Sequence, residues 1–232
     1  MTNWFLGRAL AEEAEAENAA WSFLGEGAAF WVTVAVLLVV GVAVYLVTRK
    51  KSSKKSFWTA KTMAVGAMCM ALSSVLSLIK LWSMPMGGSV TPASMLPLLL
   101  FAYCYGVGPG MVLGALYGVM QFLLDGMAWA ALGAIPNLLD YPLAFGLLGL
   151  AGCFRGSKAK MTASFVLGCF GRFMASFLSG FIFYGQYAPE GVNPVWYSLT
   201  YNGSYMLVEC IICIALGLLV GERLAKELKK VA

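Results

Sequence analysis

The sequence predicts an all-α membrane protein, and three observations predict it. Hydrophobic residues make up 60% of the 232, charged residues only 12%, and the mean hydropathy is +0.79. A soluble domain has too little interior to hide that much apolar surface. The apolar stretches reach helical length and lack the alternation of a barrel strand. The charges are also sorted: of 16 Lys and Arg, all but Arg8, Lys80 and Arg172 fall in three patches, 49–61, 155–160 and 223–230. Such patches mark the cytoplasmic side of a membrane, so the net charge of +5 reflects topology and not a nucleic-acid partner.

Residues 1–27 carry glutamates in ALAEEAEAENAAW and no basic leader, and are expected outside the cell. Residues 28–48, AAFWVTVAVLLVVGVAVYLVT, are long enough for one span, and RKKSSKK in the linker 49–58 pins its end inside. Six further spans are expected at about 59–81, 94–107, 109–126, 134–153, 161–185 and 200–222, followed by a cytoplasmic tail, 226–232. Alternation from an inside start puts the basic patches at 155–160 and 223–230 inside, as charge requires. The GVGPG turn at 106–110 joins two antiparallel helices. The Gly- and Pro-rich connections 82–92 and 186–196 fall outside, where loops on a rigid scaffold carry binding function.

Inside the spans, charge is the informative exception. Asp140 lies in IPNLLDYPLAFGLLGLAG and Arg172 in LGCFGRFMASFLSGFIFYGQY. A charge at membrane depth costs about 2.5–3.5 kcal/mol on insertion scales and marks a functional site by default. These two are expected to pair across one polar cavity. Helical spacing puts Arg172, Ser176, Ser179 and Phe183 on one face, and Ser198, Asn202, Tyr205 and Glu209 on another. For Ser176 and Ser179 the plainer reading is interhelical hydrogen bonding. Tyrosines beside these stripes, with the acids, suit a flat cationic heteroaromatic ligand.

No metal or other cofactor is expected. The chain has no histidine, and its six cysteines are read as small packing residues. Cys210 and Cys213 have CxxC spacing, with no other thiol expected near them. An intramembrane hydrolase would need a base beside its nucleophile, and only Lys80 is on offer. A secondary transporter would show inverted repeats, which the sequence lacks.

Three blocks in order, SMPMGGSVTPASMLPLLLFAYCYGVGPGMVLGALYGVMQFLLDG, LLDYPLAFGLLGLAGCF and FYGQYAPEGVNPVWYSLTYNGSYM, resemble the thiamine-specific substrate-binding subunit (the S component, ThiT family) of energy-coupling factor (ECF) transporters, over about residues 59–225. The resemblance implies a six-helix bundle that binds thiamine from outside and does no chemistry itself. It implies docking on an energising module, made of a transmembrane scaffold subunit and two ATP-hydrolysing subunits. By resemblance, Asp140 and Tyr141 take the family's acidic–Tyr pair and recognise the aminopyrimidine. Arg172 takes the basic partner, Tyr184 the ring-stacking aromatic, Tyr197 and Asn202 the thiazolium end, and Tyr117 the third-helix aromatic. Ala67 and Ala71 take the small-residue motif that meets the scaffold subunit. The chain departs from the pattern in having Ser176 where the family has histidine, Tyr where Trp stacks, and an extra Glu209, expected to balance the thiazolium charge. A thiamine precursor or another pyrimidine vitamin is the alternative ligand. The loop 82–92, with Gly87 and Gly88, is expected to act as a lid.

Overall fold

The computed structural model describes residues 59–85, 87–126, 134–189 and 191–231. The acidic segment 1–27, the span 28–48 and the linker 49–58 lie outside the described residues. What is described is a helical membrane protein with one short β-hairpin.

Helix α1 (Ala60–Leu78) starts where Thr59 Oγ1 accepts the N–H of Thr62, and ends at Ile79, where the backbone turns extended. It leads into a small antiparallel hairpin, β1 (Trp82–Ser83) with β2 (Ser89–Val90), in the register Trp82↔Val90 and Ser83↔Ser89. Helix α2 (Leu96–Tyr105) is shorter than the span expected over 94–107: ten residues extend about 15 Å, half the hydrocarbon thickness. All ten are buried, so α2 is the centre of the bundle. Only Gly106, at φ 108°, separates it from α3 (Val107–Gln121), which ends in a π-helical turn, Phe122–Gly126.

The next element, α4, covers 134–152 and is not one regular helix. It runs as Ala134–Leu138, a π turn at Leu139–Leu143, Ala144–Leu147 and a 3-10 turn at Leu148–Gly152. Pro142 lies inside the π turn. Proline has no N–H to continue the ladder and crowds the preceding turn, which the wider turn relieves. Against α4 packs a glycine stripe of α3, Gly110, Gly114 and Gly118, one per helical turn. A methyl group on Gly118 would stand 2.6 Å from the Tyr141 carbonyl carbon and 2.8 Å from Pro142 Cα, so the two backbones touch directly.

Helix α5 (Lys158–Phe183) begins at the Ser157 cap. Helix α6 (Pro194–Leu216) begins six residues before the expected 200, because Asn193 Oδ1 caps the Val195 N–H at 2.9 Å and Pro194 fits the first helical position. It passes through a π turn, Gly217–Gly221, into α7 (Glu222–Val231). The run Pro194–Leu228 makes a 35-residue rod, in which α7 ties back to α2 through the Tyr105 hydroxyl, donating to Leu228 O at 2.8 Å. Among the described residues, Ala60–Leu78, Val107–Gly126, Lys158–Phe183 and Pro194–Leu228 are long and apolar enough to cross a bilayer.

Candidate ligand cavity

The helices surround a partly open cavity. Helices α1, α3, α4, α5 and α6 and the hairpin contribute its lining. All nine candidate ligand residues face it: Tyr117, Asp140, Tyr141, Arg172, Ser176, Tyr184, Tyr197, Asn202 and Glu209.

Asp140 and Tyr141 are neighbours in sequence, and the π turn opened by Pro142 carries both to the same void. Asp140 Oδ2 accepts a hydrogen bond from Ser179 Oγ at 2.7 Å. The Tyr141 ring meets Phe122 edge-on, centroids 5.4 Å apart. Along α5 the lining residues are Arg172, Ser176, Gly180 and Tyr184, so the stripe drifts to Tyr184 and leaves out Phe183.

The expected pairing of Arg172 with Asp140 is not what forms. Arg172 Nη1 lies 3.7 Å from Glu209 Oε2. The reason is depth: Arg172 precedes Ser179, the partner of Asp140, by seven residues, or about 10 Å along the helix axis. Glu209 of α6 lies at that deeper level, 1% exposed, and its Oε1 accepts hydrogen bonds from Thr91 at 2.5 Å and Ser94 at 2.9 Å. The guanidinium also stacks over the Phe145 ring, 4.2 Å from its centroid.

The α6 face is bound to α5 by hydrogen bonds. Asn202 Nδ2 donates to the carbonyls of Ser198 at 3.1 Å and Ser176 at 3.3 Å, and its Oδ1 accepts from the Tyr205 hydroxyl at 3.1 Å. Ser198 Oγ donates to Phe177 O at 2.7 Å. Tyr117 is buried, its hydroxyl donating to Ser73 O at 3.3 Å and its ring edge-on to Phe145. Over the opening, Tyr201 donates to the Gly87 carbonyl at 2.9 Å, and Gly88 lies flat on the Tyr205 ring.

Several lining residues escaped the sequence reading: Ser77, Thr91, Ser94, Gln121 and Asp125. Asp125 closes an apolar run just as Asp140 interrupts one, and that signal was there to be read. It pairs with Lys80 at 2.6 Å. Cys210 likewise has the company it was not expected to have, since the Cys169 thiol of α5 meets it. Among the described residues no cluster of metal-ligating side chains forms. Ala67 and Ala71 lie exposed on the outer face of α1, away from the cavity.

The sequence profile of the family described as Thiamine transporter protein matches residues 63–228. The chain belongs to that family. It is 39% identical to the thiamine transporter ThiT of Bacillus subtilis over 145 residues, which is 56% of this chain and 73% of the relative. To ThiT of Lacticaseibacillus paracasei it is 31% identical over 134 residues, 52% of this chain and 67% of the relative. A solved structure of ThiT from Listeria monocytogenes shares the fold, with a TM-score of 0.61 at 21% identity, covering 73% of this chain and 96% of that one. Members of this family are transporters, so the chain is a multi-pass membrane transport protein and not an enzyme.

Proposed function

We propose that this protein is the thiamine-capturing subunit of an ECF transporter, binding the vitamin outside and delivering it for ATP-driven uptake. The observation that carries the reading is a carboxylate set among tyrosine rings in the lining of one cavity, in a chain of the thiamine transporter family. An aminopyrimidine offers N–H donors, and Asp140 is an acceptor at the cavity wall. A thiazolium is a flat cation, which aromatic faces attract. In this reading Tyr184 and Tyr141 enclose the rings, and Tyr117 and Ser176 complete the wall. Tyr197 and Asn202 stand at the thiazolium end with Glu209 beneath. Arg172 orients the polar groups.

The same reading attaches a six-span bundle from residue 59, an additional span at 28–48, an outside N-terminus and an inside C-terminus. The basic patches at 155–160 and 223–230 support that orientation. Ala67 and Ala71 would let the scaffold subunit of the energising module approach the α1 backbone closely.

Calorimetric titration of the purified full-length protein tests the proposal. Thiamine should bind at submicromolar concentration or tighter, and Asp140→Ala should abolish the heat. Binding of riboflavin or biotin with none of thiamine would overturn it. Uptake by proteoliposomes should require the ATP-hydrolysing module and stop when Ala67→Trp blocks α1.

A further inference from the structure

We propose that Glu209 is a positioning residue: together with Thr91 and Ser94 it holds the Arg172 guanidinium at the cavity floor, where Arg172 donates to a hydrogen-bond acceptor atom of the ligand. The inference rests on the thiamine reading above and adds to it a donor pole opposite Asp140.

Glu209 is 1% exposed on its side chain. A carboxylate so buried must be paired and hydrogen-bonded. Its Oε1 receives the hydroxyls of Thr91 and Ser94. Thr91 Oγ1 also accepts the Ser94 N–H at 3.1 Å, which fixes the hydroxyl so that its hydrogen points to Glu209. The second oxygen, Oε2, is left for Arg172. Glu209 therefore has little capacity left for a ligand, although it lines the cavity.

Arg172 is in the opposite condition. Its side chain is 12% exposed, and a guanidinium stays charged and carries five N–H donors. Among the described residues, neither Nε nor Nη1 has a hydrogen-bond partner. Phe145 beneath the plane stabilises the charge but accepts no conventional hydrogen bond. Buried donors without acceptors are costly, and the lining of the same cavity includes Arg172. Arg172 keeps 12% of its side chain exposed on that lining, and through this surface the guanidinium reaches an acceptor of what fills the cavity. Glu209 compensates the charge of Arg172, and Asp140, which accepts from the neutral Ser179 hydroxyl, remains the acceptor pole of the lining. The site thus selects a flat ligand with N–H donors at one place and an acceptor nitrogen or oxygen at another.

A double-mutant cycle with thiamine as the probe tests this. Glu209→Gln keeps an oxygen for Thr91 and Ser94 but loses the charge that holds Arg172. It should weaken thiamine binding about ten- to hundred-fold, the effect of losing a charge-assisted hydrogen bond. Arg172→Met should weaken binding similarly, and the double variant should bind no worse than Arg172→Met alone. Equal losses from Glu209→Gln in both backgrounds would overturn the proposal, because Glu209 would then act on the ligand directly. Wild-type affinity in Glu209→Gln would overturn it as well. Should Glu209→Gln fail to fold, Thr91→Val replaces it in the cycle, with the same two outcomes. Absence of thiamine binding by the wild-type protein would overturn the ligand reading and this inference together, whereas wild-type binding with additive losses would overturn this inference alone.

Discussion

Ser179 Oγ donates a 2.7 Å hydrogen bond to Asp140 Oδ2, joining the C-terminal part of one long helix to the widened turn of a broken one. The bond holds the carboxylate at the cavity wall. Ser179→Ala should leave the fold intact and weaken thiamine binding about tenfold, since a hydrogen bond to a charged group contributes roughly 1.5–3 kcal/mol. Calorimetric titration of the variant checks it, with the melting temperature as the control for folding.

Backbone contact at the glycine stripe makes a harsher prediction. Gly118→Ala sets a methyl group against the Tyr141 carbonyl and Pro142, and neither is a flexible side-chain end that could yield. Overpacking of this kind costs about 1–3 kcal/mol or more. Helix α4 must retreat and carry Asp140 and Tyr141 with it. Thermal melting in detergent should fall, and thiamine binding should be lost at temperatures where the protein is still folded.

The hairpin depends on a left-handed residue. Gly88 has φ +83°, and a Cβ there would lie 2.8 Å from the Tyr205 ring. Gly88→Ala should displace the hairpin from the mouth and cost about 1–3 kcal/mol of local strain. Stopped-flow measurement should show faster thiamine release than in the wild type. Gly87, at φ +86°, excludes proline, whose φ is fixed near −65°, so Gly87→Pro would break the hairpin instead of stiffening it.

The Lys80–Asp125 pair should matter for rate and not for stability. Both side chains are substantially exposed, 38% and 41%, and such pairs contribute about 0–1 kcal/mol. Asp125→Asn should leave denaturant unfolding nearly unchanged. Because Asp125 lines the cavity mouth, the same variant should slow association of cationic thiamine at low salt, an effect that disappears as salt is raised.

The sequence made some of this plain and hid the rest for physical reasons. Asp140 was conspicuous because an ionisable group in an apolar run has few explanations, and the α6 face from Ser198 to Glu209 followed from helical spacing. The partner of Arg172 could not be read the same way. Which carboxylate lies level with it depends on how α4, α5 and α6 slide against one another, and no local pattern encodes that offset. The break in α4 was half visible, in the Pro142 that follows Asp140 and Tyr141. The stripe Gly110, Gly114 and Gly118 stood in the sequence at full strength, but it looked like one more apolar span because composition does not distinguish contact with lipid from contact with another backbone. The hairpin has two residues per strand, too few for any alternation to register.

The 35-residue run Pro194–Leu228 measures about 52 Å, against about 30 Å of hydrocarbon. Tyr197 and Asn202 stand near one end of it and Leu228, bonded to Tyr105, at the other. A beam of that length cannot sink wholly into lipid while upright, so it must lean or protrude. The residues that line the mouth and those that reach beyond the opposite edge of the hydrocarbon therefore belong to one continuous helical run.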